Sequence, residues 1–509
     1  MMKKFFLFFL LGLTCSAAAQ EPDLDRLYEQ ARHHLIELIN IDTSKPEPDE
    51  TAAVRYLYKE LNKHHIDWEF LSPRKGTANL LARIAGSDPQ AKPLLLISHL
   101  DTQAAGENWN FPPYKATLKD GNIYGLGSTD AKNYTAMHLA LFTQIKDSGK
   151  IPQRDIIFLA SSGEESGSGT GLKWLGETQW DKIAPGYALN EGGGILRSPD
   201  SGNTLVFAEA GTKMYMDLKI TATGETGHVS LPVKDNAVYH LSEALAKLTQ
   251  FDPTARLTPT TRAFFSQLSP TQDPDAQTTI RLLLNGTPQE QQMAANIMAK
   301  DPFLRSQLKD TLSPVNLSSG PDTGANVPEA SAILNARLLP GTDPDAFVEE
   351  VRKFLGEDER ISIEILEQPE LPFPAAMDGQ DPLFAAIADT ARRMWPGAVA
   401  VPGMSPASGD GEFLRRLGVV TYGLGPTLDP DAPTEGAHTA DEHISEADYK
   451  EQLRFFTAVV YAFALGENIL PEAPADEPKA ANSDEKDRSE ALPPSEEDIS
   501  EIPVEPLEK

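Results

Sequence analysis

Three predicted strands end close to side chains that can bind a metal ion or move a proton. Each apolar run is followed within a few residues by such groups: 94–98 by His99 and Asp101, 156–160 by Glu164 and Glu165, and 187–189 by Glu191. Open α/β sheets bind ligands beyond the carboxyl ends of their strands. We therefore expect these side chains to lie together at one edge of one sheet.

Each of these side chains, taken alone, has an ordinary alternative role. His99 is as easily a structural histidine, and Glu164 with Glu165 is as easily a solvated turn. Asp130, which follows Gly-Leu-Gly-Ser-Thr, would also serve as a helix cap. It is their number and their order along the chain that favour a common site, to which His438 adds a second histidine.

The set has the composition of a hydrolase with two metal ions. A catalytic zinc takes about three protein ligands and keeps one position open. Two such ions about 3.5–4 Å apart can share a carboxylate and a water. His99, Asp130 and Glu191 would form one ligand set, and Asp130, Glu165 and His438 would form the other.

This arrangement of metal ligands also suggests roles for two further carboxylates, Asp101 and Glu164. Asp101, two residues after His99, is placed to accept the hydrogen of the second ring nitrogen and fix its tautomer. Glu164 has no metal to bind and would lie beside the water, as a general base does.

The composition narrows the class of protein. The chain has 509 residues with 40% apolar and 24% charged residues, which is typical of a globular protein of several domains. The net charge of −30 argues against nucleic acid or anionic lipid as a partner. Cys15 is the only cysteine, so the sequence offers neither a disulfide framework nor a cysteine-based zinc site.

The two ends of the chain differ from the rest. Lys3 and Lys4, the apolar run Phe5 to Leu13 and the small residues 17–19 predict a signal peptide over 1–19 and an exported protein, periplasmic or secreted, without a stable membrane anchor. A buried N-terminal helix and a lipid anchor at Cys15 are weaker alternatives. The acidic, proline-rich segment 471–509 predicts a disordered tail.

The folded part predicts an α/β protein in which a second domain interrupts the first. Strands and helices alternate over 20–211 and resume over 369–470, which predicts a catalytic domain with a central mixed sheet flanked by helices. Residues 212–368 predict an inserted α+β two-layer lid or dimerisation domain. Within it lies a long polar, proline-rich insertion with a helical piece at 289–300.

Seven stretches carry a resemblance to a known family. The chain resembles the di-zinc metallopeptidase family M20, which includes Gly-X carboxypeptidases, aminoacylases and glutamate carboxypeptidase. The stretches, in the order of the family, are SHLDT (98–102), WNFPPYKATLKDGNIYGLGSTDAKN (109–133), SSGEESGS (161–168), ALNEGGG (188–194), TGETGHVSLP (223–232), NVPEASAILNARLLPG (326–341) and GAHTADEHIS (436–445).

The resemblance implies roles for the lid. In the family, a lid histidine, here His228, helps to bind the oxyanion of the reaction, sometimes across a dimer. Asn326 and Arg337 stand where the family has substrate-contacting groups, although Arg337 would also serve as a structural ion-pair partner. The lid often mediates dimers, so monomer and homodimer both stay open.

The sequence also departs from the family pattern. Leu126 replaces a usual arginine, and Asn133 replaces a usual glycine. Asp410 is retained, but Glu412 stands where many members have an arginine that grips a substrate carboxylate. A carboxylate at this position predicts a preference for neutral or cationic groups over a bare carboxylate.

The predicted function is metal-dependent hydrolysis of amide bonds in short peptides or N-acyl amino acids. The predicted cofactors are two Zn²⁺ ions per subunit, or other divalent cations such as Co²⁺ or Mn²⁺. One alternative is a catalytically silent protein that binds peptides or amino acids on the same scaffold. A second is an interaction protein whose acidic tail carries the function.

Overall fold

The computed structural model describes residues 21–46, 48–197, 203–320, 325–356, 358–368, 377–407, 409–428 and 437–472. All of them belong to the unit Met1–Ala473. The predicted signal peptide and, from residue 473 onward, the predicted acidic tail lie outside the described residues. Within those ranges, no helix combines the length and the apolar character needed to cross a lipid bilayer.

The described residues form helices throughout the chain. In chain order they are α1 (Leu24–Ile39), α2 (Thr51–Lys63), α3 (Lys132–Asp147), α4 (Leu172–Thr178), α5 (Trp180–Ile183), α6 (Ala237–Leu248), α7 (Pro259–Leu268), α8 (Pro274–Asn285), α9 (Pro288–Met298), α10 (Pro302–Leu308), α11 (Pro344–Leu355), α12 (Pro382–Met394), α13 (Asp410–Arg416) and α14 (Glu446–Val460).

The strands fall into one large sheet and three smaller ones. In chain order they are β1 (Trp68–Leu71), β2 (Asn79–Ile84), β3 (Leu94–His99), β4 (Thr117–Lys119), β5 (Asn122–Tyr124), β6 (Ile156–Ser161), β7 (Tyr187–Asn190), β8 (Gly194–Arg197), β9 (Thr204–Thr212), β10 (Met214–Thr223), β11 (Gly227–His228), β12 (Thr311–Ser318), β13 (Ala325–Asn326), β14 (Glu329–Leu338), β15 (Ile361–Glu367), β16 (Val399–Ser405), β17 (Val420–Gly423), β18 (Thr427–Leu428) and β19 (His443–Ser445).

The large sheet is mixed and has a parallel centre. Its order is β1-β2-β6-β3-β7-β17-β9-β8-β18, and β16 pairs with β9. The strands β6, β3, β7 and β17 are parallel neighbours, whereas β2 joins β6 in antiparallel fashion. The apolar strands β3 and β6 are buried throughout, as expected for parallel strands covered on both faces.

Helices cover both faces of this sheet. Residues of α1, α2, α3, α12 and α14 form the core on one face, and residues of α4, α5 and α13 form the core on the other. In α1 the buried Leu27, Ala31, Leu35 and Leu38 recur at the spacing of one helix face. The predicted α/β fold with a central mixed sheet is confirmed.

The second domain is a two-layer lid. Its sheet has the order β12-β14-β10-β15, and all of its neighbouring strands are antiparallel. In β10, buried and partly buried residues alternate, because one face packs against α6 and α11. Only Lys213 separates β9 of the large sheet from β10 of the lid. The exact domain boundaries at 211 and 368 stay predictions.

The insertion within the lid is more helical than the sequence suggests. The expectation of a polar segment with one helical piece is wrong, because α7, α8, α9 and α10 all form there. Each of these helices begins with proline directly after a capping threonine or aspartate, as in Thr258-Pro259 and Asp273-Pro274. Proline fits the first turn of a helix because the N–H that it lacks has no partner there.

The helical insertion also contacts the large sheet. Phe264 and Phe265 of α7 share a buried cluster with Phe207 of β9 and Val401 of β16. The side chain of Gln307 donates to the carbonyl of Met404 at 2.7 Å and accepts from its amide at 3.0 Å. The lid is thus joined to the large sheet through this insertion as well as through Lys213.

Candidate active site

Three adjacent parallel strands deliver the candidate residues to one edge of the large sheet. The strands lie in the order β6-β3-β7, with His99 of β3 opposite Ser161 of β6. Beyond the end of β6, a short 3₁₀ turn carries Glu164 and Glu165. Glu191 directly follows β7. Because these three strands are parallel, all of their carboxyl ends lie at the same edge of the sheet.

The turn that carries the adjacent glutamates is bounded by two glycines. Gly163 and Gly167 have φ angles of +68° and +81°. Side chains disfavour this left-handed region, so glycine suits both positions. A Cβ added to Gly163 would lie 2.2 Å from the hydroxyl of Thr170, which leaves no room for a larger residue.

Five of the candidate residues form two groups that share one aspartate. In the first group, Nε2 of His99 lies 2.9 Å from Oδ1 of Asp130 and 3.2 Å from Oε2 of Glu191. In the second, Nε2 of His438 lies 3.0 Å from Oδ2 of Asp130 and 3.1 Å from Oε1 of Glu165. In each group the candidate ligand atoms lie within 4.8 Å of one another.

Glu164 stands beside these groups without belonging to either of them. Among the described residues, neither set of candidate ligand atoms includes its carboxylate. Its Oε2 lies 4.0 Å from Nε2 of His99. The position suits a group that handles a proton next to a metal centre, which is the role that the sequence predicts.

The geometry of Asp101 differs from the sequence expectation. Nδ1 of His99 lies 2.8 Å from the backbone oxygen of Asp101 and 3.6 Å from its carboxylate. The backbone carbonyl, rather than the carboxylate, therefore orients the ring. The two carboxylate oxygens accept hydrogen bonds from the amides of Glu164 and Glu165 instead. The reason is that the 3₁₀ turn presents two backbone amide groups that need acceptors.

The charges of the cluster call for bound cations. Burial raises the pKa of Glu191 to about 7 and raises the pKa of Glu164 well above its usual range. Burial alone would lower the pKa of His99, but the carboxylates of Glu191 and Asp130 raise it well above its usual value. Hydrogen bonds to Asp130 and Glu165 raise the pKa of His438 to about 10. Half-buried carboxylates at this density need positive charge beside them, which divalent cations would supply.

The donor atoms fit such ions. Each group offers one imidazole nitrogen and two carboxylates. This mixed set of nitrogen and oxygen atoms suits zinc, and also cobalt and manganese. Asp130 belongs to both groups and offers a different oxygen to each histidine, as a carboxylate shared by two ions does.

A cavity of about 400 Å³ adjoins Glu164 and Glu165. Its lining includes Tyr215 of the lid and Phe413, with the charged groups Glu412 and Arg416 of α13. The cavity opens beside the candidate metal ligands and is mostly polar, so it is the natural place for the part of a substrate next to the reacting bond.

Glu412 lies in this cavity wall with its charge already paired. Its carboxylate forms an ion pair with Arg416, one helical turn further on, and accepts a hydrogen bond from the hydroxyl of Thr212 at 3.3 Å. The residue is only 7% exposed. The repulsion that the sequence predicts between Glu412 and a substrate carboxylate is therefore offset in part by the guanidinium beside it.

Arg337 stands close to the same wall. Its guanidinium lies 4.8 Å from the centre of the Tyr215 ring, and Nε donates to Asn335 at 2.9 Å. Nη1 is buried and has no hydrogen-bond partner among the described residues. A buried donor of this kind is suited to an acceptor supplied by a substrate.

The other two lid residues, His228 and Asn326, lie on a pair of short strands in the lid. His228 of β11 is exposed, and its Nδ1 lies 2.7 Å from the hydroxyl of Ser230. Its strand pairs with β13, which places Asn326 opposite Gly227. His228 is not a member of either ligand group found among the described residues.

Two buried carboxylates near the site have no part in the sequence prediction. Glu442 accepts hydrogen bonds from the loop that carries Asp130. Glu50 is fully buried, and this burial raises the pKa of its carboxyl group to about 7. Glu442 lies inside the stretch 436–445 that carries the family resemblance, and this could have marked it as a residue of interest. Nothing in the stretch, however, indicates which loop Glu442 contacts.

The fold and the site together define a class, the hydrolytic enzymes whose paired metal ligands lie at the carboxyl edge of an α/β sheet. The chain belongs to Peptidase family M20/M25/M40, whose model matches residues 95–462. It is therefore a hydrolytic enzyme, as its motifs predict, and the family resemblance is confirmed.

Individual relatives agree with this assignment. The human N-fatty-acyl-amino acid synthase/hydrolase is 24% identical over 387 residues, which is 75% of this chain and 76% of that protein. The structure of an M20 family metallo-carboxypeptidase from Sulfolobus solfataricus matches with a TM-score of 0.62 at 19% identity, over 85% of this chain and 99% of the other. A Bacillus subtilis peptidase described as binding a dinuclear metal centre matches with a TM-score of 0.54 at 12% identity, over 86% and 98%.

Proposed function

We propose that this protein is a di-metal amidohydrolase that cleaves short peptides or N-acyl amino acids, with zinc as its native metal and Glu164 as its general base. One observation carries the proposal. Two groups of candidate ligands share Asp130, and Glu164 stands next to them outside both groups. Such a layout separates metal binding from proton transfer.

His99, Asp130 and Glu191 would hold one ion, and Asp130, Glu165 and His438 would hold the other. The ions would supply positive charge that lowers the pKa of a bound water and polarises the carbonyl group of the substrate. The buried carbonyl of Asp101 orients His99 by accepting its second ring hydrogen.

Glu164 moves the proton. Its carboxylate accepts a proton from the water that attacks the amide carbon, and the new carbon–oxygen bond forms as the proton leaves. The protonated carboxyl group then gives this proton to the departing amine as the carbon–nitrogen bond breaks. The hydrogen bond from the backbone amide of Glu164 to the Asp101 carboxylate keeps the Glu164 backbone fixed during both proton transfers.

The relatives support this substrate class. One is named for its hydrolysis of N-fatty-acyl amino acids and another as a carboxypeptidase. Both reactions break an amide bond next to an amino acid. The cavity beside Glu164, of about 400 Å³, fits a substrate of that size.

A second copy of the chain would complete the oxyanion site. His228 is exposed, and the lid side chains near it in sequence, Val229, Leu231 and Tyr239, expose 52%, 73% and 57% of their surface. Exposed apolar groups at this density mark an interaction surface. A homodimer through the lid would cover them and would bring His228 of one subunit toward the other. Light scattering on the purified protein measures the mass that decides between monomer and dimer.

Export to the periplasm or the medium belongs to the same proposal. It rests on the basic, apolar and small-residue order of residues 3–19. Determination of the N-terminal residue of the mature protein tests it, and an N-terminus near Gln20 is the expected result.

A screen of amide substrates, combined with metal analysis, tests the catalytic proposal. Dipeptides and N-acyl amino acids are offered to the purified protein before and after removal of metal with a chelator. We expect about two divalent ions per chain, hydrolysis of some members of the panel, loss of activity on chelation and its return with zinc. Bound metal without turnover of any amide would favour the alternative of a silent binding protein.

A further inference from the structure

Glu442 connects the two loops that carry the candidate metal ligands Asp130 and His438. Its Oε1 accepts hydrogen bonds from the backbone amide of Thr129 at 2.8 Å, from the Thr129 hydroxyl at 3.0 Å and from the backbone amide of Asp130 at 3.3 Å. Its own carbonyl accepts from the amide of Gly125 at 2.9 Å. Both the side chain and the backbone of Glu442 therefore hold the loop that ends at Asp130.

The carboxylate is almost completely enclosed. Glu442 is 1% exposed, so water is not available as a substitute acceptor for these amides. The buried ammonium group of Lys132 attracts the carboxylate of Glu442. Its Nζ also donates a hydrogen bond to the carbonyl of Ile41 at 2.7 Å. A buried carboxylate with several donors and a cation nearby is fixed in position.

The segment just before Glu442 carries His438, and a third stretch of the chain holds this segment through Asp441. The carboxylate of Asp441 accepts from the backbone amides of Asn110 and Phe111 at 2.8 and 3.1 Å. His438 and Asp441 have φ angles of +62° and +58°, a region that residues other than glycine adopt only when their surroundings hold them. Contacts on both sides therefore fix the turn from His438 to Glu442.

We propose that Glu442 is a positioning residue that holds Asp130 and His438 at the separation that the second metal ion requires. The inference rests on the proposed two-metal function. Asp130 contributes one oxygen to each ligand group, and His438 contributes only to the second. Loss of the Glu442 carboxylate releases the amides of Thr129 and Asp130, so both loops relax. The second ion loses two positioned ligands, whereas the first ion keeps His99 and Glu191.

The test is the affinity of each zinc ion in Glu442→Ala, measured by competition with a chromophoric chelator on the full chain. We expect the ion held by Asp130, Glu165 and His438 to become the weaker one, binding about 10–100-fold less tightly than in the wild type, the usual effect of removing an outer partner of metal ligands. The tighter zinc should change less. Glu442→Gln keeps an acceptor oxygen and should stay within about threefold of the wild type.

A matched control separates positioning from general stability. Asp310, in the lid, is also a buried carboxylate that accepts from a backbone amide, that of Leu339, and from a threonine hydroxyl, that of Thr342. Asp310→Ala should lower the thermal midpoint of the metal-free protein and leave both zinc affinities unchanged. Thr129→Val removes only one of the three donors and should give a smaller loss of the weaker zinc than Glu442→Ala, and it replaces that variant if it does not fold.

The outcomes decide the proposal. Wild-type zinc affinities in Glu442→Ala, or in Thr129→Val where that variant is used, would overturn it, as would an equal loss in Asp310→Ala. A wild-type protein that binds no second zinc would overturn the proposed function itself, and with it this role of Glu442. A selective loss of the second ion that Glu442→Gln largely restores would establish the role.

Discussion

The carboxylate of Asp101 accepts a hydrogen bond from the backbone amide of Glu164 at 3.1 Å. It accepts a second from the amide of Glu165 at 3.2 Å, and Asp101 itself is completely buried. One fixed carboxylate therefore places two adjacent glutamates, of which Glu165 faces His438 and Glu164 faces the neighbourhood of His99. The two side chains share a backbone support and differ in the chemistry that they serve.

Removal of the charge should lower kcat at Glu164 and weaken metal binding at Glu165. Glu164→Gln should keep both metal ions and lose roughly 10²–10⁴ in kcat, because a general base contributes on that scale. Glu165→Gln should instead weaken one metal ion, since its carboxylate belongs to a ligand group. Metal analysis and steady-state kinetics on both variants check this. Retention of two tight ions by Glu165→Gln, with loss of one by Glu164→Gln, would reverse the two roles.

Glu412 should control how the enzyme treats a substrate carboxylate, through Arg416. Glu412→Gln keeps the shape of the side chain and removes an ion-pair partner of Arg416, whose guanidinium lines the same cavity. We expect the ratio of kcat/KM for a free-acid substrate to that for its amide to rise roughly tenfold, the scale of a charge-assisted hydrogen bond.

Glu367→Gln is the control for this prediction, because it removes a different carboxylate from the lining of the cavity. The wild type should favour the amide. A wild type that favours the free acid, or an equal rise in both variants, would show that the Glu412–Arg416 pair does not set this preference.

The helical insertion should contribute to stability through Gln307. Its amide side chain satisfies both the carbonyl and the amide of Met404 on the large sheet. Gln307→Leu leaves both buried groups without partners, which should lower the free energy of unfolding by about 1–3 kcal/mol. Gln289→Leu, at an exposed position of α9, should change it by less than about 0.5 kcal/mol. Urea unfolding of the two variants tests the difference, and equal midpoints would contradict it.

Lys213, between the two domains, should make stability depend on pH. Burial lowers its pKa to about 7 in the folded protein, while Nζ donates to the carbonyl of Lys309 at 2.8 Å. An unfolded lysine keeps its usual pKa of about 10.4, so between about pH 7 and about pH 10 the unfolded chain binds a proton that the folded chain lacks. The contribution of Lys213 to stability therefore increases as the pH rises through this range and is constant below it.

The measurement is the unfolding free energy of the wild type minus that of Lys213→Met, from about pH 6 to about pH 9. We expect the difference to grow above pH 7 by at most about 1.4 kcal/mol per pH unit. Lys300→Met, at an exposed position, serves as the control and should show no such trend. A difference for Lys213 that stays flat across the range would contradict the assigned shift.

The sequence predicted the sheet and the arrangement of the candidate site because both depend on short-range patterns. Apolar runs followed by His99, by Glu164 and Glu165, and by Glu191 indicate strand ends, and parallel neighbours bring strand ends together. In the lid sheet, buried residues alternate with partly buried ones along β10 and β14, which is also a short-range pattern. Three helices of the insertion were missed because prolines that begin helices, such as Pro259 and Pro274, are also typical of loops.

Contacts between distant segments could not be predicted in this way. Glu442 and Thr129 are separated by 313 positions in the chain, and nothing near either residue indicates the other. The acceptor for His99 was assigned to the Asp101 side chain, although the backbone carbonyl lies closer. Backbone atoms leave no trace in a sequence, so only the fold shows which of two acceptors a ring nitrogen meets.

Titration of zinc into the metal-free protein, with amide hydrolysis recorded at each addition, tests the central claim most directly. The account predicts that two equivalents bind, that hydrolysis reaches its maximum as the second is bound, and that Glu164→Gln binds both while its rate stays roughly 10²–10⁴ lower. Full hydrolysis by protein that holds no metal would contradict the account, as would wild-type rates in Glu164→Gln with two ions bound.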